Sequence, residues 1–220
     1  MDDIAFLHTS PVHVPTFDGL MRELAPRLRV AHSVREDLLA DAQQQGVEFP
    51  PLVARVQKAL AEAAAGGAAV VVCTCSTLGG LAEAMTGTSF QVTRIDRAMA
   101  DQAARNGPQV LLVAALQSTL APTAALLQSS AERLGLPIEI HTLLVAQAWG
   151  HFQAGRQADY LQAVANAIVR AAPGGSAIVL AQASMAPAAE LLAALGLKAL
   201  TSPRLGVEHA VALYPRARTR

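Results

Sequence analysis

The chain has two cysteines, and they stand one residue apart. Cys73 ends the apolar run "VVVC"; Cys75 follows it, directly before Ser76-Thr77 and the Ala/Leu/Glu-rich segment "LGGLAEAM". A Cys-x-Cys pair cannot close a relaxed disulfide framework, and no further Cys or close His pair supplies the remaining ligands of a zinc site. Acid/base chemistry is what the spacing leaves. A thiol past a strand end and before a helix start meets free backbone N–H groups, which favour negative charge and form an anion site. With Ser76 or Thr77 as the expected N-cap, Cys75 tends towards thiolate. A substrate carboxylate bound alongside pushes the other way, so the thiol is expected to cycle between its two forms near neutral pH. Cys73, still inside the strand, reads as a small buried hydrophobe.

A second stretch has the same rhythm. "AIVLAQASMAPAAELL" (Ala177–Leu192) follows "VVVCTCSTLGGLAEAM" (Val70–Met85), and a shift of about 108 residues sets Ala183 against Cys75. Ser184 then takes the equivalent N-cap, with Pro187 near the helix start. "IAFLHTSPVHVPTFDGLM" (Ile4–Met21) is matched in the same way by "VLLVAALQSTLAPTAALL" (Val110–Leu127). Thr9 and Ser10 after the first strand, Ser118 and Thr119 after its repeat, and the turns at Ser76-Thr77 and Ala183-Ser184 are therefore the candidate substrate-binding residues, donating to one substrate carboxylate through side chains or backbone. His8 and His209 are further acid/base candidates, although a packed histidine is the commoner outcome. Glu83 and Glu190 read as solvated groups on helix faces.

These positions need elements to hold them. Short β-rich runs occur at Ile4–His8, Arg29–Ala31, Ala68–Cys73, Gln91–Arg94, Gln109–Ala114, Glu139–Thr142, Ser176–Leu180 and Ala199. Segments at helical spacing lie between them, among them Phe17–Leu24, Leu52–Ala65, Leu78–Met85, Ala98–Arg105, Thr123–Leu134, Tyr160–Ala171 and Pro187–Leu195. Glycine and proline punctuate the elements, Gly174-Gly175 included. Strand–helix alternation predicts parallel sheets covered on both faces. A repeat of this length is too long for a solenoid and fits a duplicated domain. The expected fold class is α/β, with two pseudo-symmetric, flavodoxin-like parallel-sheet domains and an interdomain cleft. The first half spans residues 1–100, with the tail 205–220 returning to it, and the second spans 101–204. Ligands of open parallel sheets bind beyond the carboxyl ends of the strands, where the candidate residues lie.

Composition narrows the classes further. At 220 residues and 52% hydrophobic, the chain can bury a substantial core. Seventeen basic residues balance 17 acidic ones, so no basic field draws nucleic acid or an anionic membrane. No apolar stretch reaches the length of a membrane span, and "MDDIAFLHTSPVH" has neither a basic start nor a long apolar core of a signal peptide. A reducing, cytoplasmic location is expected. Neither a phosphate-binding G-x-x-x-x-G-K-[ST] nor a G-x-G-x-x-G occurs, and there is no G-x-S-x-G elbow. No cofactor or metal is expected. The partner is a small carboxylate substrate, and a homo-oligomer is compatible with the sequence.

The duplicated halves and the Cys-Ser-Thr turn resemble the aspartate/glutamate/hydantoin racemase superfamily, whose members commonly carry Cys-Asn-Thr there. "VTRIDRAMADQA" (Val92–Ala103), "LQSTLAPT" (Leu116–Thr123) and "ALTSPRLGVEHA" (Ala199–Ala210) are similar as well. The resemblance implies cofactor-independent proton transfer at a carbon α to a carboxylate, with Cys75 as the first of two cysteines acting on opposite faces. The second lies within a Gly-Cys-Thr turn in the family, and Gln182-Ala183-Ser184 stands there in this chain. One thiol resembles the arylmalonate decarboxylases in cysteine economy, although their thiol lies in the second half. The expected activity is of racemase or isomerase type. The alternatives are a one-thiol decarboxylase of a malonate-like acid and a non-catalytic two-lobed carboxylate-binding protein.

Overall fold

The uninterrupted apolar runs become central strands because only a strand covered on both faces can hide every side chain it carries. In the computed structural model, which describes residues 1–171 and 175–218, β1 (Ile4–His8) is buried at all five positions. β3 (Val70–Cys73) is buried at all four. The expected punctuation at Gly174 lies outside the described residues, as do the last two positions of the tail.

The first sheet has the order β2-β1-β3-β4, all parallel, with β2 at Val30–Val34 and β4 at Gln91–Arg94. Its helices are α1 (Val14–Leu24), α2 (Glu36–Gln45), α3 (Pro50–Ala64) and the short α4 (Gly79–Glu83). After α5 (Arg97–Asn106) the pattern starts again. The second sheet runs β6-β5-β7-β8, also parallel, from β5 (Gln109–Ala114), β6 (Glu139–Leu144), β7 (Ala177–Leu180) and β8 (Ala199–Thr201). It carries α6 (Gln117–Leu134), α7 (Ala146–Gln153), α8 (Gln157–Ala171) and α9 (Ala188–Ala193). The last helix, α10 (Ser202–Ala217), follows β8. Two compact units result: Met1–Asp96 together with the chain from Pro203 onward, and Arg97–Ser202. The α/β class with two parallel sheets is the one expected from the strand–helix alternation.

Each unit has its own core. In the first, Leu7, Val71, Cys73 and Cys75 pack with Leu38, Val56, Leu60, Leu78 and Ala82. In the second, Val113, Ile178 and Leu180 pack with Tyr160, Val164, Ile168, Met185 and Leu192. Helix ends follow local chemistry. α6 stops at Gly135, whose φ of 67° is left-handed, and its amide caps the Ala131 and Glu132 carbonyls. α6 begins earlier than the expected Thr123 and runs through Pro122. α10 approaches β4 so closely that a Cβ at Gly206 would run into the Ile95 carbonyl. No described helix is long and apolar enough to cross a membrane.

Candidate active site

β1 and β3 pair with Leu7 opposite Cys73. The pairing continues past the strand ends, since the Thr74 amide donates to the Leu7 carbonyl at 3.0 Å. His8 then lies beside Thr74, and Thr9 beside Cys75. Side chains alternate across a sheet, so the two pairs fall on opposite faces.

On one face the Thr9 hydroxyl donates to the Cys75 sulfur. The backbone N–H groups of Thr77 and Leu78 bond to the same sulfur. Neither Ser76 nor Thr77 is the N-cap expected; the Cys75 sulfur instead satisfies two amides of the turn that precedes the helix. Its side chain is two and three residues before the amides it accepts from, the reach of an N-cap group. The helix-like segment expected over Leu78–Met85 contracts to the five residues of α4, with Leu78 at its N-cap and no side-chain cap there. The expected drift towards thiolate is also reversed. Cys75 is only 8% exposed and packs against apolar neighbours. Burial pushes its pKa above the ordinary thiol range, outweighing the Thr9, Leu78 and Thr77 hydrogen bonds. The resting group is a thiol, which is a proton donor. Cys73 is fully buried, donates to the Cys75 carbonyl at 3.7 Å, and is pushed far higher by burial. It is the packed hydrophobe expected.

On the other face His8 is fully buried between Phe6 and Phe17. Its Nδ1 is 2.9 Å from the Thr74 hydroxyl and its Nε2 is 2.9 Å from His32 Nδ1. The Thr74 hydroxyl donates to the Leu7 carbonyl, so it accepts from His8. His8 Nε2 must then accept from His32. Burial, with His32 and His13 nearby, pushes His8 down to about 3. His8 is a packed histidine that ties the two strand ends together. His209 is half-buried on α10.

Behind the Cys75 turn lies a buried ion pair. Arg94 Nε donates to Asp96 Oδ1 at 2.6 Å and its Nη2 to Oδ2 at 3.0 Å, with side-chain exposures of 3% and 0%. The same Nη2 donates to the Ser76 carbonyl at 3.2 Å. Burial works against the Arg94 charge, and Asp96 more than restores it. Half-buried Glu83 adds to this, so it is not simply a solvated helix-face group.

In the second unit the equivalent turn differs by one position from the sequence alignment. Val113 pairs with Leu180, and the Ala181 amide donates to the Val113 carbonyl, as Thr74 does to Leu7. The Met185 amide donates to the Gln182 carbonyl as Leu78 does to Cys75. Gln182, not Ala183, is thus the counterpart of Cys75; half-buried Ala183 matches Ser76, and Ser184 matches Thr77. Gln182 Oε1 accepts the Ala115 amide at 2.6 Å and the Leu116 amide at 3.3 Å. Ser184 is not the N-cap of α9, which is Pro187; it sits in a 3-10 turn, 2.8 Å from the Tyr160 hydroxyl. Ser118 and Thr119 lie in the first turn of α6, with Thr119 buried and Ser118 Oγ buried without a hydrogen-bond partner among the described residues. Glu190 is exposed on α9.

Of the residues singled out by sequence, the first unit brings Thr9, just past the end of β1, to Cys75 in the turn after β3 that also carries Ser76 and Thr77. Ser10 follows, half-buried, before a 3-10 turn (Pro11–His13) that it does not cap. Arg94, Asp96, Thr74, His32, Gln182 and Tyr160 were not anticipated. Only the strand register, carried one step past each strand end, could have pointed to Thr74 and Gln182. Among the described residues, no group of three His, Cys, Asp or Glu is placed to hold a metal ion.

No family model and no curated protein matches the sequence. Solved structures do match in fold. The aspartate racemase of Picrophilus torridus superposes with a TM-score of 0.72 at 11% identity, over 98% of this chain and 97% of that one. The glutamate racemase of Thermus thermophilus, in complex with beta-chloro-D-alanine, gives 0.66 at 20% identity, over 98% and 81%. An arylmalonate decarboxylase bearing a glycine-to-cysteine substitution, in a sulfate-associated form, gives 0.59 at 21%, over 97% and 93%. The chain has the two-domain α/β fold of the aspartate/glutamate racemases.

Proposed function

We propose that this protein is a cofactor-independent enzyme that moves a proton at a carbon α to a carboxylate, with Cys75 as the acid/base. The observation that carries the reading is the Cys75 thiol, held by the Thr9 hydroxyl and two backbone amides at a strand end, in a fold that racemases share. Thr9 aims the S–H bond, and Ser10 supplies a nearby hydroxyl for the substrate carboxylate. As a carbanion forms or is quenched, the sulfur alternates between thiol and thiolate. The three donors stabilise the thiolate without rearranging, which is how preorganised dipoles lower a barrier.

Racemase or isomerase activity is the primary reading. A decarboxylase of a malonate-like acid is the second, favoured by one specific observation. The counterpart of Cys75 is Gln182, whose carboxamide is neither an acid nor a base near neutral pH. Loss of carbon dioxide from a disubstituted malonate leaves an enediolate that needs one proton, and a resting thiol can donate it.

Incubation in deuterated water with single enantiomers of α-amino acids, and separately with disubstituted malonates, tests both. Racemisation with α-deuterium uptake supports the first reading. Release of carbon dioxide with one-sided deuteration supports the second. Neither reaction, with carboxylates still bound, would make the protein a binder.

A further inference from the structure

The peptide between Ser76 and Thr77 is held at both ends. Its carbonyl oxygen accepts from Arg94 Nη2 at 3.2 Å. Its N–H, on the opposite edge of the same plane, bonds to the Cys75 sulfur. A trans peptide is rigid and planar, so fixing one edge fixes the direction of the other. Arg94 is fixed in turn. Two of its donors grip Asp96 in a fork, and the second hydrogen on Nη2 is left for Ser76. The chain has made room for this: a Cβ at Gly79 would come within 2.6 Å of Arg94 Nε and 2.7 Å of Cζ.

We propose that Arg94 is the positioning residue of the Cys75 site, holding the Ser76–Thr77 peptide so that its N–H bonds the sulfur. The guanidinium does not touch the thiol. It prevents the peptide from rotating to present its carbonyl oxygen, which would replace a donor to the thiolate by a repulsive lone pair. Lysine cannot substitute, because one ammonium cannot reproduce a planar fork that bonds Asp96 twice and Ser76 once. The inference rests on the proposed function only in naming Cys75 as the reacting group.

The test reads the thiol itself in the resting protein, so it can fail while turnover is found, and the reverse. In a Cys73→Ala background, ultraviolet absorbance of the Cys75 thiolate is followed against pH, as the difference from the same protein with Cys75→Ser. Arg94→Lys keeps the positive charge and loses the fork. Gly79→Ala keeps both Arg94 and Asp96 but forces the guanidinium aside. Each is expected to move the titration upward by about one pH unit, a tenfold loss of thiolate at fixed pH. Val164→Ala, a truncation in the core of the second unit, is the control for general destabilisation and should leave the titration in place. Unmoved titrations in folded Arg94→Lys and Gly79→Ala proteins would overturn the proposal. Should both variants fail to fold, the Cys73→Ala protein still decides. The Thr77 amide proton resonance should titrate with the thiol, and an amide indifferent to it would overturn the proposal equally.

Discussion

Gln182 occupies in the second sheet the register position that Cys75 occupies in the first. Both side chains accept backbone N–H groups at a strand end, but from different places. Cys75 turns forward to Thr77 and Leu78 in its own turn. Gln182 reaches across to Ala115 and Leu116, after the neighbouring strand. The duplicated frame thus carries a buried thiol in one copy and a carboxamide acceptor in the other.

Truncation of Gln182 should therefore be costly in stability. Gln182→Ala leaves two backbone donors without their acceptor, a loss of about 1–3 kcal/mol for a half-buried site. Gln182→Glu retains an acceptor oxygen and should recover most of it. Denaturant unfolding of both variants decides the matter; equal losses would mean the carboxamide nitrogen, not Oε1, carries the effect.

The two cysteines should separate cleanly. Cys75→Ala should lower turnover by roughly 100- to 10,000-fold, the range for a general acid/base, and cost about 1 kcal/mol of stability, since the Thr9, Thr77 and Leu78 donors lose their acceptor. Cys73→Ala should cost stability on the order of 1 kcal/mol and spare turnover. Because burial holds Cys75 protonated, a step that needs the thiol as donor keeps its rate through neutral pH. It declines only above the ordinary thiol range, as the proton is lost. A decline already at neutral pH, abolished by Cys75→Ser, would contradict the buried-thiol assignment.

Much of the frame was legible because it depends on local pattern. Apolar runs such as Val70–Cys73 and Gln109–Ala114 can only be covered strands, and the repeat in Ile4–Met21 reported the duplication. What was not legible depends on register. The sequence pattern alone sets Ala183 against Cys75, a slip of one residue that pairing with Val113 removes. Hydroxyls usually take the N-cap, which points to Ser76 or Thr77, but the helix starts later, with Leu78 at its N-cap, and the thiol serves the amides of the turn before it. Arg94 could not be read at all. Nothing in "VTRIDR" says that an arginine will be buried, because its partners are the adjacent Asp96 and a carbonyl in a different turn.

The histidines on the far face make the fold sensitive to acid. Proton positions follow from the bonds: Thr74 gives its hydrogen to Leu7, His8 gives Nδ1–H to Thr74, and His32 gives Nδ1–H to His8. His32 Nε2 is then a lone pair, buried without a hydrogen-bond partner among the described residues. His8 can gain a proton only at Nε2, which breaks its bond with His32. Burial, with His32 and His13 nearby, lowers His8 from the ordinary 6.5 to about 3, and burial lowers His13 and His32 as well. Between those His8 values the unfolded chain binds a proton that the folded chain refuses. The stabilisation is complete above 6.5 and is lost progressively as pH falls through the folded value of about 3. One such proton corresponds to about 1.4 kcal/mol per pH unit. Urea unfolding should show the midpoint falling from neutral to mildly acid pH. His8→Asn should fold less stably at neutral pH but lose less on acidification, since the group that must charge is gone. If wild type and His8→Asn lose stability in parallel, His8 is not the group that couples the fold to pH, and the load falls on His13 or His32.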